Sequence, residues 1–192
     1  VTLDLLEHQP DPPHTEDWLM NPQYKEFHRL LGVRDRPAFL NNILDQSVSD
    51  IFRAEIHNPA RPYTDIGNGT RSLGTIRPRS VSFVEYKLND RGRWECHITF
   101  IDQRGDMYKI PVTDLSFRYY LDFLRDQERQ TTRTIGLRIQ QTLDHPTTIF
   151  RIGLARGFNP DREQPQNRCY LQIIGVYTFP DFLEGRCFAD FR

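Results

Sequence analysis

Cations and flat rings are interleaved through the middle of this chain. Arg77 and Arg79 precede a run that carries Phe83 and Lys87. Arg91 and Arg93 flank the turn that follows, Arg104 sits in a second turn, and Lys109 lies in the run after it. A guanidinium presents a planar fork that grips carboxylate or phosphate and stacks on flat rings, whereas an ammonium is a compact point charge. Only Lys25, Lys87 and Lys109 are lysines among the 25 basic residues. That bias toward arginine suits recognition, although a lineage bias in composition produces the same count. Phe83 stands on a strand face otherwise holding Glu85 and Lys87, so it is the leading stacking platform; the competing role is packing beneath a helix from residues 23–53. A second group, Arg151, Arg156 and Arg162, falls near Gly153 and Gly157. Turn amides and guanidinium forks can together hold a phosphate there, and an ordinary solvated loop has the same composition.

Other chemistries find less support. His8, His14, Glu16 and Asp17 match no standard zinc spacing, and an anchored connector explains them. There is no nucleophile elbow and no phosphate-binding loop, and Gly67-Asn68-Gly69 is a turn. Asp102 and Asp106 belong to turn chemistry and Asp114 to helix capping. We expect no catalytic residue, no metal and no cofactor. Cys96, Cys169 and Cys187 are odd in number and widely spaced, Cys96 reads as a buried thiol, and a reducing cytoplasm fits them.

The elements that would position these groups follow from periodicity. Residues 80–124 contain two alternating runs around Asn89-Asp90-Arg91-Gly92 and a third after Asp102-Gln103-Arg104-Gly105-Asp106. Val84, Tyr86 and Leu88 share one face of the first; Trp94, Cys96, Ile98 and Phe100 of the second; Tyr108, Ile110 and Val112 of the third. Thr113 or Asp114 then caps a helix carrying Leu115, Tyr119, Phe123 and Leu124. Upstream, Val1–Leu6 reads as a strand and His8–Pro22 as a Pro-rich connector whose Trp18-Leu19-Met20 docks in a groove. Pro22 opens a helix through Tyr24, Phe27, Leu30 and Leu31, and Pro37 opens a second through Phe52. Residues 57–68 read as loop, Ser72–Ile76 as a strand, 125–133 as a polar linker, and 135–143 as helix or strand. Thr148–Leu154 and Cys169–Tyr177 read as strands, the latter central, with a loop between them and no clear element in the tail.

The 192 residues suffice for one large domain, or one domain with an appendage; 38% are hydrophobic, 27% are charged and the net charge is −1. The chain as a whole is therefore no electrostatic magnet for nucleic acid. No apolar run reaches the roughly 20 residues of a membrane-crossing helix, so no membrane partner is expected. No signal peptide is visible, and the apolar start at Val1 suggests a strand of a longer protein.

Five short motifs occur in order: HTEDWL at His14–Leu19, RSLGTIRP at Arg71–Pro78, YKIPVTD at Tyr108–Asp114, FRIGLARGF at Phe150–Phe158 and CYLQIIGVY at Cys169–Tyr177. The series resembles the dual OB-domain family of prokaryotic proteins, in which a Q-x-E-D/N-W element links two barrels and the second carries SLxLIRP, YxLxVTD and CYKLVA-like strands. The resemblance runs from about His8 to Tyr177 and departs at three points: most of a first barrel is missing, the last strand reads Leu-Gln-Ile-Ile, and the tail from Thr178 is additional. It implies a β-rich α+β protein. A strand and connector (1–22) and a helical pair with its loop (23–70) precede an OB-like β-barrel with a C-terminal tail (71–192). The OB fold it implies suits a non-catalytic module for single-stranded DNA or RNA, and the wet faces, turns and loops read above supply the candidate contacts Phe83, Lys87, Lys109, Arg77, Arg79, Arg91, Arg93, Arg104, Arg151 and Arg156. The alternative is a protein-interaction subunit of a larger complex, bound to a protein partner.

Overall fold

The computed structural model describes residues 2–26, 32, 34–157, 168–186 and 188–191. Ten strands and four α-helices follow one another: β1 (Thr2–His8), β2 (Trp18–Glu26), α1 (Arg36–Asn41), β3 (Leu44–Asp45), α2 (Val48–Phe52), β4 (Tyr63–Asp65), β5 (Leu73–Ile76), β6 (Ser80–Leu88), β7 (Trp94–Ile101), β8 (Met107–Pro111), α3 (Leu115–Asp126), α4 (Thr132–Leu143), β9 (Ile149–Leu154) and β10 (Arg168–Tyr177). A 3-10 turn at Phe188–Phe191 follows in the tail.

The sheets form a nearly closed circuit. β6, β7 and β8 are the expected antiparallel meander. β5, separated from β6 by Pro78, pairs with β9, and β9 pairs with β10. A parallel bridge from Val112 to Ile173 and a 2.8 Å bond from the Thr113 amide to the Ile173 carbonyl join the end of β8 to β10. With β5 and β6 taken as one strand bent at Pro78, the circuit is the small Greek-key barrel of the OB fold, with the α3–α4 pair inserted between its third and fourth strands. Its interior holds Ile76, Val84, Ile98, Phe100, Ile110, Phe150, Ile152 and Ile173, all nearly or fully buried. Each such side chain contributes about 1.5–3 kcal/mol relative to exposure.

Local chemistry sets the turns. In the β6–β7 hairpin, Gly92 takes φ +70 and Asn89 Oδ1 accepts from the amides of Arg91 and Arg93. Buried Asp102 organises the next turn: its Oδ1 accepts from the Arg104, Gly105 and Asp106 amides, while Oδ2 accepts from Val48 N at 3.1 Å. Asp114 caps α3 through the Phe117 amide and also accepts from Val176 N. Burial raises its carboxyl above the ordinary aspartate value, partly offset by those backbone bonds. The segment at 135–143 is helical: Thr131 caps α4, which lays Ile135, Ile139 and Leu143 into the core. At Gly136 the helix rests on β6, and a Cβ there would lie 2.6 Å from the Val84 carbonyl oxygen.

Several expectations need correction. Pro22 does not open a helix. Residues 18–26 form β2, which pairs with β1 in a two-stranded ribbon (Thr2↔Glu26, Leu5↔Met20, His8↔Trp18); Phe27, Leu30 and Leu31 lie outside the described residues. Cross-strand partners supplied by β1 override a short helical spacing. Trp18, Leu19 and Met20 are about half exposed on that ribbon and dock in no groove; Trp18 stacks on His8 at 4.7 Å. The helix expected from Pro37 to Phe52 is broken in two, because Leu44–Asp45 pairs in parallel with Thr75–Ile76 and Ser47 caps a new start at Val48. Both short helices that precede the barrel, α1 and α2, fall within the span of the second expected helix. The loop at 57–68 contains β4, which pairs with β10. Of the presumed linker at 125–133, the first two residues end α3 and the last two begin α4.

Candidate nucleic-acid interface

The outward residues of the meander alternate with its core. Glu85 and Lys87 on β6, Glu95 and His97 on β7, and Lys109 on β8 face away from the barrel interior and line a groove of about 540 Å³. Its far wall is built by the segment before β4. The Pro59 carbonyl accepts from Lys109 N at 2.9 Å and the Pro62 carbonyl from Leu171 N at 3.0 Å. This segment therefore spans the seam where β8 and β10 diverge, and it carries Arg61 to the groove's edge.

Arg61 and Tyr170 line that wall, and ring and guanidinium contacts continue from Tyr170 to Tyr63 and Arg168. The Arg61 guanidinium lies 4.6 Å from the centre of the Tyr170 ring, Tyr170 meets Tyr63 edge-on at 5.8 Å, and Arg168 covers Tyr63 at 4.5 Å. His57 tilts against Tyr63 at 5.3 Å. On the opposite side, Glu85 Oε2 lies 3.0 Å from Lys87 Nζ and 2.9 Å from Lys109 Nζ. Desolvation pushes the Glu85 carboxyl up, but the two ammonium groups more than offset it and hold its pKa below the ordinary value. His97 is shifted down, chiefly by burial, so it is neutral at pH 7. His97 Nδ1 is buried without a hydrogen-bond partner.

The residues singled out from sequence separate into several places. Lys87 and Lys109 meet in the groove, with Arg91 and Arg93 exposed on the hairpin that leads out of it. Phe83 shares their outward face, opposite Thr99, which in turn pairs with Lys109. It is 53% exposed, so it packs beneath no helix; it stands beside Leu137 of α4 in a neighbouring cleft of about 410 Å³ that also touches Glu85. Arg77, Arg79 and Arg104 belong to the other end of the barrel. Arg77 donates to Asn41 Oδ1 at 2.6 Å and Arg104 pairs with Asp50 at 2.7 Å, while Arg79 lines a small cleft with Asp144 and His145. Arg151 is exposed on β9, and Arg156 is paired with Asp17. Arg162 lies outside the described residues. The connector is anchored as expected, with Glu16 Oε1 accepting from Ser72 N at 2.7 Å and Ser72 Oγ at 2.6 Å. His14 is buried against the Leu154 carbonyl. Arg61, Tyr63, Tyr170, Arg168 and His97 were missed. The signal for Tyr170 was present in CYLQI, where Tyr170 and Gln172 alternate with buried Cys169, Leu171 and Ile173.

The barrel topology and the groove on its second and third strands define an OB-fold module. A sequence profile described as the dual OB-containing domain matches residues 1–176, and the chain belongs to that family. No curated protein and no solved structure matches the chain. Among the described residues no helix is long and apolar enough to cross a membrane.

Proposed function

We propose that this chain is a non-catalytic module that binds single-stranded nucleic acid in the groove over β6, β7 and β8. The supporting observation is the groove on the outer surface of an OB barrel that Arg61 and Tyr170, stacked on each other, line together with Lys87 and Lys109. OB barrels use this surface and its flanking loops for oligonucleotides. Stacking on Tyr170 holds bases without sequence preference, and the cations follow the backbone. Phe83, two residues along β6 from Glu85, extends the track by about 6.7 Å, a strand step of two residues. The buried free thiols Cys96 and Cys169 suit a reducing, cytoplasmic setting. Fluorescence anisotropy of labelled single-stranded DNA and RNA across a salt series tests the proposal: affinity at low salt that falls with added salt supports it, and absent or salt-insensitive binding counts against it.

A second reading, a subunit that docks on a protein partner, is favoured by the β1–β2 ribbon. Leu5, Leu6, Trp18 and Met20 are 47%, 56%, 46% and 50% exposed there. A two-stranded ribbon is marginal in water by itself. Light scattering behind size exclusion addresses this reading; a clean monomer that co-purifies with nothing weakens it.

A further inference from the structure

The groove contains Lys87 and Lys109, two of the chain's three lysines, and both ammonium groups converge on one oxygen, Glu85 Oε2, at 3.0 and 2.9 Å. Both are charge-assisted contacts to a single carboxylate oxygen, made by side chains that keep 49% and 34% of their surface exposed. Neutral His97 stands 3.9 Å away and adds no charge. Glu95, the other carboxylate of the groove, accepts instead from Asn89 Nδ2 at 3.2 Å.

We propose that Glu85 is an internal counter-ion that occupies the place of a backbone phosphate, and that single-stranded nucleic acid enters by exchanging a phosphodiester for this carboxylate on Lys87 and Lys109. The inference rests on the nucleic-acid reading of the groove. A carboxylate and a phosphodiester are both oxyanions that an ammonium accepts as a point charge. Exchange needs cations that solvent, and hence an incoming phosphate, can reach, and Lys87 and Lys109 are 49% and 34% exposed. The shared oxygen halves the positive charge the lysines offer: two ammonium groups and one carboxylate leave a single net charge. Glu85 thereby sets the entry threshold, favouring a strand whose bases also stack on Tyr170 over a bare polyanion. Nothing covalent changes; Glu85 remains ionised and turns to solvent.

The test compares Glu85→Gln with Glu95→Gln, a control that removes a like charge from the same groove without releasing a lysine. With a labelled deoxythymidine oligomer of about 15 nucleotides, within the range an OB fold covers, Glu85→Gln should bind more tightly than wild type at low salt. Its plot of log affinity against log salt should steepen by about 0.7, the increment for one more phosphate neutralised on a single strand. Glu95→Gln should keep the wild-type slope. Equal slopes for the two variants, or Glu85→Gln binding no more tightly than wild type, overturn the proposal. If no form binds the oligomer, the nucleic-acid reading fails, and the counter-ion is judged by titrating inorganic tripolyphosphate against the 13Cε resonances of the lysines. Shifts at Lys87 and Lys109 in Glu85→Gln but not in wild type uphold it; equal shifts in both, or none in either, reject it.

Discussion

Replacing Asp102 with alanine probes the joint between the barrel and the helices before it. The side chain is fully buried, and its two oxygens serve four backbone amides. Three of these belong to the exposed turn Arg104–Asp106, where water can take over most of the lost bonding. The fourth, Val48 N, starts α2 beneath a residue with no exposure, so it is left without a partner. An orphaned buried amide costs about 1–3 kcal/mol, and loss of the charge-assisted turn bonds adds about 1 kcal/mol after rehydration. The sum is about 2–4 kcal/mol, a large share of the roughly 5–15 kcal/mol that stabilises a typical domain. With a urea m-value of about 2–3 kcal/mol/M, the midpoint should fall by about 1 M. Asp102→Asn should recover only part of the loss, because its oxygen can serve one set of amides while its NH2 opposes the other donor to donor. Urea unfolding followed by circular dichroism measures the shift. A change below about 0.5 kcal/mol for Asp102→Ala, the scale of an unremarkable surface substitution, would refute this account of the turn.

Gly136→Ala should destabilise even though alanine is the better helix former by about 1 kcal/mol: the added Cβ meets the rigid Val84 carbonyl at 2.6 Å. Overpacking of that kind costs about 1–3 kcal/mol, and a higher melting temperature for the variant would contradict it. Tyr170→Ala should weaken single-stranded DNA binding by about 1–3 kcal/mol, the usual loss for one stacked base, whereas Tyr170→Phe should retain affinity; equal losses would point away from stacking. His97, held below its ordinary pKa by burial, resists the proton that the unfolded chain takes up near pH 6.5. Stability should therefore fall as pH drops from about 6.5 through the lower folded value, and His97→Gln should lose that component; parallel pH–stability curves for the two proteins would count against it.

The meander, its two turns and the Asp114 cap were legible in the sequence because each is governed by local signals: alternation, turn residues and a capping side chain. The ordered motifs extended this to the barrel. What stayed hidden depends on partners distant in sequence. β2 exists because β1 pairs with it, and Leu44–Asp45 is a strand because β5 lies beside it. The same is true of the site. The outward placement of Lys87, Lys109 and Phe83 was legible in the alternation of the meander, but Arg61 lies in a Pro-rich stretch that gives no sign of bridging β8 to β10. The cationic value of Lys87 and Lys109 was also overstated, since spacing on one strand cannot show that Glu85 is shared with the next strand but one. Arg77, Arg104 and Arg156 resembled ligand contacts in sequence; Asn41, Asp50 and Asp17 take them up in the fold.

The central claim is that the outer face of β6–β8 with its Arg61–Tyr170 wall receives a single strand. Amide chemical-shift mapping of the labelled protein against a short deoxythymidine oligomer tests it most directly. The account predicts shifts concentrated at Lys87, His97, Lys109, Arg61 and Tyr170, extending to Phe83. Shifts confined to the β1–β2 ribbon or to the Arg77–Arg104 end of the barrel, or no shifts at low salt, would contradict it.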